Sequence, residues 1–341
     1  MRPQILVTGG SGFIGSRLVP YLLAQDLDVC CLVRESSNTS ALDALGVETR
    51  VGDLDDTDSL MNALRGCTHV LHLAGMTKAL RSRELWNANE RGTKNLVDAT
   101  LRVAGDKEPA VFVLVSSLAA AGPVLMRGEP RPRSEADPVE PVSNYGRSKR
   151  DGEMVALEAA GQLPLSIVRP PIVFGPGDKD GLNLFRPIAR FGVHVAPGLR
   201  RTLYSLIHAD DLSQSIWAVA TSGQRCVDEA SNQGIYFASH PTNLSYGDLG
   251  REIGRALGRR KTWVIPTLPI GVRVVAGINE GISQVFRRPH ILGWDKSREA
   301  ITRGWACDSS RLRDELKVPF DTPLFEQLRA TSMWYAMKGW L

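Results

Sequence analysis

The stretch VTGGSGFIG, Val7 to Gly15, decides the fold. It closes a strand-like run, QILVTG, and satisfies two glycine spacings at once. Gly10, Gly12 and Gly15 fit GxGxxG, while Gly9, Gly12 and Gly15 fit GxxGxxG. In a turn from strand to helix, glycines let the backbone turn tightly and approach a pyrophosphate, whose charge then meets the N-terminus of the next helix. Dinucleotide binding is the functional reading, and an ordinary strand-loop-helix turn is the plainer one. Pro20 falls in the third turn of the helix that should follow and removes a hydrogen bond there, which predicts a kink rather than an end.

Outward from this loop, short apolar runs alternate with helical patterns: DVCCLVR, VETRVGD, HVLHLAG, AVFVLVSS and LSIVRP. Uniformly apolar strands separated by helices predict an α/β protein, a doubly wound parallel sheet covered on both faces. Helices are expected at Ser59 to Leu64, Glu84 to Ala104 and Tyr145 to Ala159. After Arg169 the texture changes, with RPPIVFGPGDKDG and HVAPGLRR rich in glycine and proline and helical segments dominating from Asn243 onward. The expected division is a dinucleotide-binding domain of residues 1–174 plus about 205–240, and a smaller, mostly helical substrate domain of 175–204 and 241–341. The segment from Gly122 to Tyr145 is too long and proline-rich for a mere connection and is expected to cover a binding site.

Composition narrows the class of partner. The chain has 341 residues, 43% hydrophobic and 23% charged, with a formal charge of +4. Such a small excess argues against a nucleic-acid or anionic-membrane partner and for a small-molecule protein. Cys30 and Cys31 are adjacent and none of the five cysteines forms a CxxC pair, so five free thiols in a reducing compartment are expected. The strand begins at Gln4, leaving no room for a signal peptide, and a cytoplasmic location follows as an expectation. VIPTLPIGVRVVAGI is cut by Pro266, Pro269 and Arg273 and is too short to span a bilayer. No metal is expected, because His69 and His72 point to opposite faces of a strand. Structural roles are assigned to His208 beside Asp210 and Asp211, to the basic run REIGRALGRRK, and to Trp334, Tyr335 and Trp340.

Two further positions carry chemistry. Strand two ends at Arg34, about 20 residues after the glycine loop, where an acidic side chain would bind a free ribose 2′-hydroxyl. A cation there pairs with a 2′-phosphate, so NADP is favoured and NAD stays possible, with a solvated arginine as the alternative. Tyr145, in NYGRSKR, has Lys149 four residues on, and no other tyrosine has a lysine at that spacing. Lowering a phenol from pKa 10 by about 3 units needs about 4 kcal/mol. One ammonium about 4 Å away supplies a similar amount at an effective dielectric of about 20, before desolvation.

Taken together, these motifs resemble the extended short-chain dehydrogenase/reductase superfamily, the NAD-dependent epimerase/dehydratase type. TGGSGFIG is similar to its TGxxGxxG signature, which implies that Gly9, Gly12 and Gly15 are the working glycines, flanked by Phe13 and Ile14, and that Gly10 is incidental. The resemblance further implies adenine contacts at Asp53 and Leu54, a cofactor-lining strand end at Leu73, Ala74 and Gly75, a helix-four asparagine at Asn89, and cofactor contacts at Pro170 and Val173. It assigns Ser117, Tyr145 and Lys149 as catalytic and makes Ser116 structural. Tyr145 would exchange a proton with the substrate oxygen, Ser117 would hydrogen-bond it, and Lys149 would hold the nicotinamide ribose. Dimers through the two helices around Glu84 to Ala104 and Tyr145 to Ala159 are also implied.

The departures from the nucleotide-sugar branch point to the substrate. Ile172 stands where RPxNVYGP has asparagine, Tyr204 and Ser205 replace an Arg-Asp pair for which Arg200 and Arg201 are the candidate substitutes, and AAAG (Ala119 to Gly122) replaces AVYG. In these respects the chain resembles the branch of 3β-hydroxysteroid dehydrogenases and dihydroflavonol reductases. Val124, Leu125 and Met126 are candidates for an apolar pocket. The expected reaction interconverts a secondary alcohol and a ketone on a fairly apolar molecule. The alternatives are a nucleotide-sugar epimerase or dehydratase and a non-catalytic dinucleotide-sensing regulator.

Overall fold

The computed structural model describes residues 3–125, 131–197, 202–267, 277, 294–300, 302 and 304–341. Seven parallel strands form its central sheet: β1 (Gln4–Thr8), β2 (Asp28–Val33), β3 (Glu48–Val51), β4 (His69–His72), β5 (Val111–Val115), β6 (Leu165–Arg169) and β11 (Ile235–Phe237). They run in the order β11-β6-β5-β4-β1-β2-β3. Six strands lie where the apolar runs predict them. The seventh, IYF, is too short to show alternation, and all three of its residues are buried.

Helices cover both faces because β-strand side chains alternate and both sets are apolar. On one face Ile5, Val7 and Val113 pack with Leu18 and Leu22 of α1 (Gly15–Ala24) and Leu212 and Ile216 of α9 (Ala209–Ser222). On the other, Leu6, Phe112 and Ile167 meet α3 (Thr57–Leu64), α5 (Gly92–Ala104) and α7 (Asn144–Leu157). The order reverses between β1 and β4, so the loops leaving these two strands diverge and open a crevice at their C-terminal ends.

α1 runs through Pro20 without ending, as expected. Two local readings change. The helix expected from Glu84 to Ala104 runs without a break from Ser82 but contains one π turn (Asn87–Arg91) between α4 (Ser82–Trp86) and α5. Gly10 is not incidental, since a Cβ there would meet Cys31 Sγ at 2.6 Å.

The remaining elements form smaller sheets around a separate apolar cluster. β7 (Ile172–Phe174) pairs with β10 (Leu206–His208), β9 (Leu203–Tyr204) lies between β12 (Leu244–Ser245) and β14 (Gly304–Trp305), and β8 (Val193–Pro197) pairs with β13 (Trp263–Thr267). Helices α8 (Leu182–Phe191), α10 (Tyr246–Ala256) and Leu324–Met337 pack on them. Tyr335 is buried, stacks on Trp340 and donates to the Asp178 carbonyl at 2.7 Å, so this aromatic group packs as expected. The five cysteines are free. Among the described residues no helix is long and apolar enough to cross a membrane, and no cluster suits a metal ion.

Candidate active site

The glycine loop owes its path to backbone geometry. Gly9 has φ +74°, a left-handed conformation that side chains disfavour, and a Cβ on it would lie 2.8 Å from the Ala74 nitrogen. Gly12 N–H donates to Gly9 O at 3.0 Å. A Cβ on Gly15 would sit 2.4 Å from that same carbonyl, so the path of the turn requires glycine at Gly9 and Gly15. Phe13 accepts from Ser16 through its carbonyl, and Ile14 packs on the core. Arg34 is exposed one residue beyond β2, with its N–H donating to Ser37. Asp53 is exposed and accepts from the Asp55 N–H, while Leu54 packs over Gly92.

A buried polar network ties this loop to the next strand and to two helices. Thr93 donates to the Asn89 carbonyl at 2.7 Å, so it accepts from His72 Nε2 at 3.1 Å, which leaves His72 Nδ1 to accept from Thr8 at 2.7 Å. Burial and the nearby Lys149 charge push the His72 pKa down to about 3, so this imidazole is a neutral connector. Asn89, buried in the π turn, accepts from Met76 N–H at 2.8 Å and donates to Met76 O and to Ser148, both at 2.9 Å. The chain after β4 is thereby clamped: Leu73 N–H and Ala74 N–H donate to Thr8, and a Cβ on Gly75 would collide with Asn89.

Helix α7 carries three groups at successive four-residue steps, hence on one face. Ser143 caps it by accepting from Gly146 N–H, and the Asp295 carboxylate accepts from the N–H groups of Asn144 and Tyr145. Tyr145 is half-buried on a cavity wall. Lys149 is buried behind it, Nζ donating to the Val115 carbonyl at 2.9 Å, and burial pulls its pKa down to about 8 although Glu153 pulls the other way. Glu153 is buried deeper and takes a two-point contact from Arg169 at 2.8 and 2.6 Å, which holds the carboxylate below its usual range against the burial penalty. The sequence reading stopped at Lys149. The same spacing extended once more, to Glu153, would have found the next member.

Ser117 begins α6 (Leu118–Ala121), its Oγ accepting from Ala119 N–H at 3.1 Å, and its own hydrogen has no partner in the helix cap. Ser117 and Tyr145 line one cavity of about 420 Å³. Ile172, Pro197, Tyr204, Tyr246 and Trp305 supply apolar surface to the same cavity, whose lining also includes Thr77, Glu299 and the ion pair of Lys78 with Asp180 at 2.9 Å. Pro170 accepts from Leu118 N–H and Val173 packs on the core, so both flank this space rather than line it.

Several expectations do not hold here. Val124 is buried elsewhere, its N–H donating to Gly304 O, and neither it nor Leu125 lines the cavity. No described residue between Gly122 and Asn144 lines it either, because Arg133 of that segment is drawn into the interior by backbone bonds to Ala306 and Asp308. Met126, Arg200 and Arg201 lie outside the described residues. Ser205 is fully buried, bonded to Asn243 and to the backbone of Cys307, and is structural. His208 keeps the structural role expected of it, accepting from Asp210 N–H, while Asp210 pairs with Arg17 at 2.6 Å.

A family model described as NAD dependent epimerase/dehydratase matches residues 5–232. The chain belongs to that family. Among curated proteins it is similar to a ceramide reductase of Caulobacter vibrioides, 29% identical over 341 residues, covering 100% of this chain and 96% of the relative. It is also similar to a UDP-glucose 4-epimerase of Vibrio cholerae, 29% identical over 321 residues and 89% and 91% of the two chains. A putative dihydroflavonol 4-reductase and a sterol-4-alpha-carboxylate 3-dehydrogenase stand among further relatives. The fold matches that of DesIV, a dTDP-glucose 4,6-dehydratase from Streptomyces venezuelae, with TM-score 0.73 at 22% identity, over 100% of this chain and 98% of that one. A member of the NAD-dependent epimerase/dehydratase family with reductase and dehydrogenase relatives, the chain is an NAD(P)-dependent enzyme of the extended short-chain type.

Proposed function

We propose that this enzyme interconverts a secondary alcohol and a ketone on an apolar, lipid-like molecule, working in cells as an NADP(H)-dependent reductase. The observation that carries this reading is the cavity itself, in which Ser117 and Tyr145 share one lining with Ile172, Pro197, Tyr204, Tyr246 and Trp305. Apolar walls with a few convergent polar groups select an apolar molecule and orient its one reacting oxygen. Similarity along the whole chain to a ceramide reductase points the same way. A ceramide combines a secondary hydroxyl, a neighbouring amide and long hydrocarbon chains, so the corresponding ketone is the first substrate to test.

In this reading Tyr145 gives its proton to the carbonyl oxygen as the alcohol forms, and Ser117 donates a hydrogen bond to the same oxygen, opposing the negative charge that develops there. The Ser117 hydrogen is available because its oxygen is already aligned by the Ala119 N–H. Lys149 supplies positive charge one turn behind the phenol. With a pKa near 8 it is mostly an ammonium at neutral pH, and two of its three N–H bonds remain beyond the one to Val115.

The crevice fits a dinucleotide. A loop that admits no Cβ at Gly9 or Gly15 brings bare backbone and the start of α1 to one point, and Gly75 lies next to Asn89 and Lys149. Gly9, Gly12, Phe13, Ile14 and Gly15 would hold the pyrophosphate, Asp53 and Leu54 the adenine, and Lys149 the nicotinamide ribose. When bound, the cofactor supplies or accepts the hydride. The exposed Arg34 favours the 2′-phosphate of NADP.

The nucleotide-sugar reading finds less to hold a diphosphate. Among the described residues no arginine lines the cavity, and its lysine, Lys78, is paired with Asp180. The division into a cofactor domain and a substrate domain, and a homodimer through α4, α5 and α7, are proposals of the same kind. Assays with NADPH test the main reading: an N-acylated long-chain amino ketone and steroid and flavonoid ketones, beside UDP-sugars. Reduction of an apolar ketone is expected, and conversion of a UDP-sugar with no ketone reduced overturns it. Arg34→Asp is expected to raise KM for NADPH about tenfold while leaving that for NADH nearly unchanged, and equal effects would remove Arg34 from cofactor choice.

A further inference from the structure

The cavity does not end at its own walls. β8 and β13 pair in parallel, with Trp263 beside Val193, Ile265 beside Val195 and Thr267 beside Pro197. Side chains alternate along a strand, so this ribbon has two unlike faces. His194 and Ala196 turn inward, where His194 stacks on Tyr246 at 4.9 Å between ring centroids and bonds to its carbonyl. The opposite face carries Val195, Trp263 and Ile265, 52%, 60% and 47% exposed, and Phe191, 66% exposed, ends the helix just before it. Single exposed apolar residues are ordinary, but three large ones on one face of a two-stranded ribbon, with a fourth two residues before it, are not. The row leads to Pro197, which lines the catalytic cavity.

Charge is arranged on the same edge. Lys261 Nζ lies 3.7 Å from the ring centroid of Trp263, and the Arg190 guanidinium lies 5.3 Å from that of Phe191. Arg260 is exposed next to Lys261. None of these three cations has a carboxylate partner among the described residues. Basic side chains beside exposed aromatic rings, above a row of aliphatic ones, match the layering of a bilayer surface, with anionic headgroups outside and hydrocarbon beneath. A two-fold contact of this face with a second copy would instead set the same cations against one another.

We propose that this ribbon docks the enzyme on an anionic phospholipid bilayer. Phe191, Val195, Trp263 and Ile265 enter the boundary between headgroups and acyl chains, and Arg190, Arg260 and Lys261 meet lipid phosphates. Docking turns the cavity mouth at Pro197 toward the membrane, so an apolar substrate passes from the bilayer to Tyr145 along a continuous apolar row. A lipid with two long chains exceeds a cavity of about 420 Å³, and its chains then stay in the bilayer while the reacting carbon enters. This purpose rests on the apolar-substrate reading, whereas the docking geometry does not. The contact needs no spanning helix, and it departs from the expectation, drawn from a net charge of only +4, that no membrane is a partner. The place of the cations matters here more than their sum.

The test is co-sedimentation of the full chain with vesicles of phosphatidylcholine and phosphatidylglycerol in equal parts, against vesicles of phosphatidylcholine alone. Binding to the mixed vesicles is expected to be at least about tenfold stronger and to weaken with salt. Trp263→Ser with Ile265→Ser, and separately Arg260→Ser with Lys261→Ser, are each expected to reduce it by about tenfold or more. Both variants should reduce a short, water-soluble ketone at the wild-type rate, which shows that they are folded. Equal binding of wild type and both variants overturns the proposal, as does failure of the wild type to bind. Conversion of a dimer to a monomer by the first variant, without vesicle binding by the wild type, assigns the face to a second copy instead. If no ketone is reduced by any form, the functional reading fails while the vesicle result still stands or falls by itself.

Discussion

On one side of the cavity stands α7, whose inner face stays polar from Tyr145 through Lys149 to Glu153 and ends on Arg169. On the other stand Ile172, Pro197, Tyr204 and Trp305, which come from short strands of three small sheets and bring large carbon frameworks, with Glu299 and the Lys78–Asp180 pair as the charged groups of the lining. The first wall is held by bonds that tolerate almost no displacement, because a buried polar group without its partner costs several times what the paired bond contributes. The second is held by packing, which accepts a change of side chain at modest cost. Chemistry can therefore stay constant on α7 while the choice of substrate changes across from it.

The largest expected effect breaks the polar wall at its tip. Tyr145→Phe is expected to lower kcat by about 100- to 10,000-fold, with the far-UV spectrum unchanged, because it removes the proton donor and little volume. Near-normal turnover would remove Tyr145 as the proton donor. At the base of the same wall, Glu153→Gln leaves the Arg169 guanidinium buried without its counter-charge. Urea unfolding should show a loss of about 3–5 kcal/mol. Replacing both residues by methionine should recover much of that loss, and a double variant no better than the single one would show that the pair does not act through its charges.

The middle of the wall makes a prediction in which two signs oppose. Burial holds Lys149 near pKa 8, below its ordinary 10.5, so the folded state binds fewer protons than the unfolded one between those values. Stability from this group therefore rises with pH across that window, by about 3 kcal/mol in total. Activity runs the other way, since kcat/KM should fall as pH rises through about 8 and the ammonium behind Tyr145 is lost. Lys149→Met should flatten the stability slope. A kcat/KM that stays level from pH 7 to 10 would separate Lys149 from the acidity of Tyr145.

The smallest effect belongs to the apolar wall. Ile172→Asn places an amide where the substrate offers no partner and should raise KM for an apolar ketone by about tenfold, with kcat little changed. A KM unaffected by this change, measured in the same steady-state assay, would move the substrate away from β7.

Much of the molecule was legible before folding was considered, and the physical reasons differ by region. β1, β2, β4, β5 and β6 were readable because strands buried on both faces are almost wholly apolar, and the polar edge strand β3 by its place between two helical patterns. The glycine turn was readable because only glycine permits Gly9 its dihedral angle and Gly15 its close approach. The π turn at Asn87–Arg91 was not, since a periodic pattern of apolar residues does not register one extra backbone residue. Val124 and Leu125 misled for a related reason: an apolar residue in a loop declares that it will be buried, not against what.

The chain by itself determined six strands of the sheet, the turn that follows the first and the spacing of Tyr145 and Lys149, because each depends on neighbours within a few residues. Tertiary structure alone decided that Glu153 meets Arg169, that His72 is a neutral link between Thr8 and Thr93, and that Trp305 faces Ser117 across one cavity. It also decided that the ribbon of β8 and β13 leaves its apolar row uncovered. Such relations join residues far apart along the chain, and only their shared burial or exposure in three dimensions reveals them.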